Sequence, residues 1–413
     1  MNPLRLSLFL AQRLQNSHYY KHSVSARIIK IATVAVALGI AMILIALATG
    51  FGLQKEIASK TAIFNGHLSL SSFENNSATI SIEPLFIEDS LRKTITSLSN
   101  LSKLDGVTYK AGLFKSKSTF EGGIFKGVGS NYPWGRLQNY LKEGEFPNSR
   151  KSSQEVLISQ TLASRLELEV GDRFRIFFQN NTNQKVPNQR TVKVVGIYQS
   201  GFPEFDESLI FGSIDLVNRV NQWDNNQVGS YEVVLNDFEG ISNTAEIIYN
   251  MLPSEWDVIT IQEKYPNIFQ WIALFDYNIL IILTIMIIVG VINMATALLV
   301  LILERTRMIG VLQTMGATSQ WIQSIFLWSG ARIFSVGLFW GNLLGLSFYW
   351  SQLHWKWIRL DPQTYFVETA PVFLTISHIV TLNIFVLLIS MFFLWFPIRL
   401  VIRKQSRKNL LKD

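Results

Sequence analysis

Four stretches of the chain carry no charged residue over a length that can cross a bilayer. They lie between Lys30 and Lys55, between Asp276 and Glu304, from Ile333 to about His354, and between Glu368 and Arg399. A hydrocarbon core of roughly 30 Å takes about 20 helical residues, so each run is a candidate transmembrane helix. Arg332 borders the third run and can snorkel to the nearby surface. Residues 55–275 contain no such run. The expected fold is therefore a membrane α-helical protein with four transmembrane helices in a 1+3 layout. A large α+β extracytoplasmic domain is inserted between helices 1 and 2.

The division of charge orients this layout. The net charge of +7 suggests nucleic acid as a partner until it is split by region. Residues 1–30 carry five basic residues (Arg5, Arg13, Lys21, Arg27, Lys30) and no acids, and the tail from Arg399 carries six against Asp413. From Lys55 through Asp276 there are 21 basic and 26 acidic residues, a net of −5. The basic excess flanks the spans on one side, the positive-inside pattern. Both termini are expected in the cytoplasm and the large domain on the far side of the membrane, with no role for nucleic acid. The first run is longer than a signal-peptide core and lacks a small-residue cleavage site, so it reads as an uncleaved span. With no cysteine, the outer domain has no disulfide and the chain no thiolate chemistry.

In chain order, residues 1–27 read as a cytoplasmic or interfacial segment, with an amphipathic helix near 4–14. Residues 28–54 hold transmembrane helix 1, 55–265 the periplasmic α+β domain, and 266–303 a helix leading into transmembrane helix 2. Residues 304–322 form a cytoplasmic coupling helix and 323–355 transmembrane helix 3. A short periplasmic loop at 356–370, transmembrane helix 4 at 371–398 and a basic cytoplasmic tail at 399–413 complete the chain. Thr33, Ala37 and Ala41 recur every fourth position in the first span, and Gly337, Gly341 and Gly345 do so in the third. Small residues at that spacing let helices approach closely in lipid. Packing within one bundle and dimerisation through the glycine face both remain open.

Within the outer domain, alternation and turn residues predict strands at 66–70, 155–158, 174–178, 191–198, 208–211, 231–235 and 257–261. Helices are expected at 87–98, 159–166, 214–223, 241–252 and 265–275. The region 107–128 alternates around Gly122-Gly123 as paired strands would. Between the strands at 174–178 and 191–198 lies a polar, Asn-rich segment that includes Asn180, Asn181, Lys185, Val186, Pro187 and Arg190. It is expected to project as a hairpin tip, either as a solvated connection or as a docking point.

Residues 304–318 stand apart from the other connections. Glu304, Arg305 and Arg307 place three charges in four residues, which cannot stay in hydrocarbon, and the stretch then turns amphipathic. A short helix held at the membrane surface between two spans can carry force from a soluble partner into those spans. An ordinary inter-helix loop with snorkelling arginines is the plainer alternative.

Motifs for self-contained chemistry are missing from the sequence. There is no G-x-x-x-x-G-K-[ST] loop, no H-E-x-x-H and no G-x-S-x-G. His18 and His22 stand four apart without a third ligand nearby, so no metal site is expected. His378 reads as a packed or interfacial residue. No catalytic residue and no cofactor is expected in this chain. If it does work, the energy arrives from outside.

The chain resembles the lipoprotein-releasing ABC transporter permeases (LolC/LolE type) of the FtsX-like superfamily. The coupling pattern of that family matches Glu304-Arg305, Ile309-Gly310, Leu312 and Gly316-Ala317, while Met308 stands where an acidic residue is common. Phe9-Leu10-Ala11, Ala37-Leu38-Gly39-Ile40-Ala41, Gly50-Phe51, Gly66-His67, Leu141 to Gly144, Leu162-Ala163, Leu166 to Asp172 and Val195-Gly196-Ile197 follow the family order. Ser159 stands where the family often has Gly. The resemblance implies a cytoplasmic ABC ATPase dimer, binding ATP and Mg, docked on the coupling residues Glu304, Arg305, Met308, Ile309, Gly310, Leu312, Gly316 and Ala317. It implies a second permease chain, identical or paralogous, and a periplasmic lipoprotein carrier that meets the hairpin. Acylated lipoproteins would be taken from the outer leaflet among membrane lipids, with Ile45, Leu47, Phe51, Leu283, Met286 and Ile287 lining the acyl-chain site.

Two other functions fit the same layout. One is a mechanotransmitting permease that regulates a cell-wall hydrolase and moves no substrate. The other is an efflux permease with a periplasmic adaptor, although such proteins commonly carry their ATPase in the same chain. A structural or adhesion protein would not need the coupling element.

Overall fold

The structure, a computed structural model, describes residues 24–76, 79–148, 152–178, 188–238 and 240–410. The expected interfacial helix near 4–14, with His18 and His22, and most of the hairpin tip (Asn180, Asn181, Lys185, Val186 and Pro187) lie outside them. The chain divides into two units. One comprises residues 1–55, 272–359 and 369–413, and the other residues 56–271 and 360–368.

Among the described residues, the first unit is built on four helices long and apolar enough to cross a membrane. They run over Val24–Asn65, Pro266–Glu304, Ser319–Trp355 and Ile376–Leu410. Each extends beyond the apolar run that predicts it, because helical hydrogen bonding does not stop where hydropathy falls. In the most apolar window of the first helix 50% of residues are buried, against 28% in the second and 17% in the fourth, so the first helix is the centre of this unit. Its core joins Ile40, Leu44 and Leu47 to Met294, Leu298 and Leu301 of the second helix and Phe326 and Phe334 of the third.

Where sequence reading began the fourth span at 371, the helix starts at Ile376. Residues 371–375 run without regular structure, and the Phe373 amide donates to the carbonyl of Ala48 at 2.9 Å. Between the third and fourth helices Asn342 and Asn383 exchange amide hydrogen bonds of 2.7 and 3.0 Å. Each amide satisfies the other where water is scarce.

The second unit carries a ten-stranded sheet. The strands are β1 (Leu68–Ser72), β2 (Leu101–Lys115), β3 (Phe120–Val128), β4 (Leu141–Gly144), β5 (Glu155–Ser159), β6 (Arg173–Phe178), β7 (Asn188–Tyr198), β8 (Leu209–Ser213), β9 (Ser230–Leu235) and β10 (Trp256–Thr260). Their order is β10-β1-β9-β2-β3-β8-β5-β7-β4, with β6 bridging β7 and the far end of β2. The pairs β3–β8 and β5–β7 are parallel and the others antiparallel. Because β6 joins β2 to β7, the path β2-β3-β8-β5-β7-β6 closes on itself as a barrel. Its interior is filled by Phe114, Phe125, Ile158, Ile176, Phe178 and Val194, all fully buried. Full closure removes exposed strand edges. β4 adds to the outer end of the path beside β7, and β10-β1-β9 with the first half of β2 form an open sheet. The helices Asp89–Thr96 and Ile241–Tyr249 cover it through Ile95, Ile241 and Ile248.

Residues 107–128 form the paired strands that their alternation predicts, β2 against β3, with the turn at Ser116–Thr119 closed by the Ser116 amide on the Thr119 carbonyl at 2.9 Å. Gly123 sits in mid-ladder opposite Gly112. The helix expected over 87–98 covers only Asp89–Thr96, and that expected from Tyr265 begins at Pro266, which suits a first helical turn.

Candidate functional site

The second long helix ends at Glu304 because Arg305 leaves helical geometry, with φ −99° and ψ 17°. A new helix follows over Thr306–Thr314. It closes in a Schellman arrangement: the Gly316 amide donates to the Gln313 carbonyl and the Ala317 amide to the Leu312 carbonyl, both at 2.9 Å. Gly316 holds φ at +87°, the left-handed region that a side chain disfavours. Two residues later Thr318 caps the third long helix, its hydroxyl accepting from the Trp321 amide at 3.3 Å. The coupling element expected as one helix over 304–322 is thus a nine-residue helix set off by a break at each end.

The two faces of this short helix differ. Ile309 is fully buried in the unit's own core, beside Ile322 and Phe326, and Met308, Leu312 and Ala317 pack against the same cluster. The opposite face exposes Arg307, Val311, Thr314 and Met315. These stand at i, i+4, i+7 and i+8, one stripe of a helix. Val311 is 59% and Met315 78% exposed. Sequence reading named Met308, Ile309 and Leu312, which face inward, and missed Val311 and Met315. The signal that finds them is the complement of the buried stripe. Glu304 is exposed, and Arg305 and Gly310 are half-buried.

The glycine row of the third helix faces the side chains of Val36, Ile40 and Leu44 and the backbone of Thr33, Ala37 and Ala41 on the first. A Cβ on Gly337 would meet Val36 at 2.7 Å, one on Gly341 would meet Ile40 at 2.6 Å, and one on Gly345 would meet Leu44 at 2.9 Å. Real Cβ atoms do not come that close, so only glycine lets the backbones approach here. In this chain the row is occupied from within.

The proposed acyl-chain residues separate. Leu47 is buried in the core of the helical unit, and Phe51, Leu283 and Met286 pack on that core. Phe51 lies 4.6 Å from the His378 ring, centroid to centroid. Ile45 and Ile287 are half-buried and stand outside this cluster. Two apolar stripes are exposed instead: Ile31, Val34, Leu38 and Met42 on the first helix, and Ile281, Ile285, Ile288 and Ile292 on the second. Of the hairpin residues only Arg190 is described. It sits in β7 opposite Ile176 of β6, half-buried, its guanidinium donating to the Gln189 carbonyl at 2.9 Å.

A buried charge cluster in the extracytoplasmic unit went unread in the sequence. Lys126 of β3 donates to both carboxylate oxygens of Glu232 of β9, at 2.7 and 2.9 Å, and to the Phe64 carbonyl at 2.6 Å. The Tyr109 hydroxyl also donates to Glu232. Burial lowers the Lys126 pKa, opposed by the Glu232 charge, and burial with the same carboxylate raises that of Tyr109.

A family model for the FtsX-like permease C-terminal region matches residues 280–406, and one for the MacB-like periplasmic core domain matches residues 31–248. The lipoprotein-releasing system transmembrane protein LolC of Haemophilus influenzae is 25% identical over 215 residues, 51% of this chain and 51% of its own length. The match thus spans about half of that relative. LolC of Xylella fastidiosa is 19% identical over 380 residues, covering 88% of both chains. The LolE protein of Haemophilus influenzae is 22% identical over 344 residues, covering 82% of this chain and 81% of its own. With the periplasmic-core match alone taking in more than half of the sequence, the chain belongs to the FtsX-like permeases of LolC/LolE type, membrane proteins that carry a MacB-like periplasmic domain.

Proposed function

We propose that this chain is the permease subunit of an ATP-driven ABC transporter that extracts acylated lipoproteins from the outer leaflet of the inner membrane and passes them to a periplasmic carrier. The observation that carries the reading is the short helix Thr306–Thr314. Its inner face is locked into the transmembrane core by Ile309, and its outer face presents Arg307, Val311 and Met315. Such a helix transmits displacement, because a packed core does not absorb it. The family and its LolC and LolE relatives supply the rest.

In this proposal a cytoplasmic ATPase dimer binds ATP and Mg and docks on the exposed face of the short helix. Both termini of the permease lie in the cytoplasm, and residues 55–265 lie in the periplasm. A second permease chain, identical or paralogous, covers the exposed stripes of the first and second helices and encloses the acyl chains near Ile45, Phe51 and Ile287. The hairpin that ends at Arg190 docks the carrier. Co-reconstitution of the chain with its ATPase and any paralogous partner in proteoliposomes tests this. ATP addition is expected to transfer a triacylated lipoprotein to soluble carrier. ATP hydrolysis without transfer, with full carrier present, would support the hydrolase-regulating alternative instead.

A further inference from the structure

The extracytoplasmic unit encloses a cavity of about 480 Å³ whose wall includes Asn65, Ser71, Asn76, Tyr109, Ser208 and Lys264. Small-molecule sites run from about 300 to 1,000 Å³ and are mostly apolar. This one sets amides and hydroxyls among apolar side chains, and those polar groups suit a ligand that carries hydroxyl groups. Lys264 supplies the charge. Its ammonium lies 4.8 Å from the centroid of the Tyr109 ring, and among the described residues no carboxylate comes within ion-pair distance of it. The nearest buried carboxylate, Glu232, is already taken by Lys126 and Tyr109. With the buried carboxylate held by Lys126, the half-buried Lys264 keeps a positive charge without a fixed partner, and a charge drawn partly out of water without a partner is costly. Burial accordingly lowers the Lys264 pKa, opposed by Glu232. Two more carboxylates, Glu204 and Glu263, line the rim. Both are exposed, and Glu263 is engaged by the amide and hydroxyl of Thr260 at 2.8 and 2.9 Å.

We propose that this cavity binds a polyol phosphate, with the phosphoryl oxygens on Lys264 and the hydroxyl groups on the serine and asparagine side chains. A compact ammonium is a point charge suited to phosphate, and the lining exceeds what an inorganic ion would fill. The same chemistry occurs in a phosphoglycerol lipid headgroup and in free glycerol phosphate.

The test uses the full-length chain in phosphatidylcholine nanodiscs, titrated calorimetrically with glycerol 3-phosphate. Separately, native mass spectrometry follows retention of phosphatidylglycerol after release from nanodiscs containing it. Binding of either probe is expected, weakened at least about tenfold by Lys264→Gln and kept within about threefold by Lys264→Arg, since the charge supplies the larger part of the affinity. Ser208→Phe, which fills the cavity from its half-buried rim position, is expected to abolish binding with an unchanged melting temperature. It keeps the test valid if Lys264→Gln fails to fold. Retention of the lipid identifies a headgroup site, and binding of the soluble probe alone identifies a free metabolite. Binding of neither probe, or equal binding by wild type and both disabling variants, overturns the proposal.

Discussion

Lys126 Nζ lies 2.7 Å from one carboxylate oxygen of Glu232 and 2.9 Å from the other, with both side chains buried. The pair ties β3 to β9 across β2, the strand shared by the closed barrel and the open sheet. Removing one partner strands the other charge. Lys126→Met is expected to destabilise the extracytoplasmic unit by about 3–5 kcal/mol, and the double variant Lys126→Met with Glu232→Leu by much less. Denaturant unfolding of the purified full-length chain, followed by tryptophan fluorescence, distinguishes them. Equal loss in single and double variants would contradict the pairing.

Gly341 separates the third helix from Ile40 of the first by less than a side chain. Gly341→Leu is expected to cost about 1–3 kcal/mol through overpacking and to lower the melting temperature in detergent. An unchanged melting temperature would contradict the close approach of the two helices.

Gly316 ends the short helix with φ +87°, and no atom lies within 4 Å of where a Cβ would stand, so substitution is limited by backbone strain and not by space. Gly316→Val is expected to cost about 1–2 kcal/mol locally, and Gly316→Asn clearly less. In the reconstituted system the valine variant is expected to keep ATP hydrolysis while lipoprotein release falls severalfold. Normal release would show that the short helix does not couple the two.

His67 provides a pH dependence. Burial, with the Arg136 charge adding to it, lowers its pKa from 6.5 to about 4, and its Nδ1 accepts a hydrogen bond from the Leu235 amide at 3.1 Å. The folded state therefore holds the neutral ring. Above pH 6.5 both states are neutral and stability is full. Between pH 6.5 and 4 the unfolded chain takes up a proton that the folded chain refuses, so stability falls with falling pH, by at most about 1.4 kcal/mol per unit. Thermal melting of wild type against His67→Gln across pH 4–8 is expected to show this slope in the wild type only. Parallel curves would contradict it.

The four apolar helices were legible because hydropathy is a property of composition over a window. The helix end at Gly316 was not read, because the amphipathic pattern runs on across 304–322 and hides the left-handed turn there. The closed barrel was not legible either. It depends on β6 reaching both β7 and β2, pairings between residues such as Leu113 and Phe177 that no local pattern specifies. Lys126 and Glu232 lie 106 residues apart, so each read as one more charge in a polar domain. The face of the short helix was lost for a related reason. A mixed stripe becomes an inner and an outer side only when the core that takes Ile309 is known.

Replacing residues 179–187 with a two-residue Asn-Gly turn keeps the antiparallel register of β6 and β7, in which Phe178 faces Asn188. Carrier affinity is expected to be lost, measured by surface plasmon resonance on the full-length chain, with ATPase docking unchanged. Unaltered carrier affinity would leave the segment a connection only.

The central claim is lipoprotein release, and photocrosslinking in cells from Ile45 and Phe51 tests it most directly. The account predicts adducts with acylated lipoproteins that disappear when the ATPase is active and accumulate when it is inactivated. Adducts with phospholipid or with a hydrolase activator, and none with lipoproteins under either condition, would contradict it.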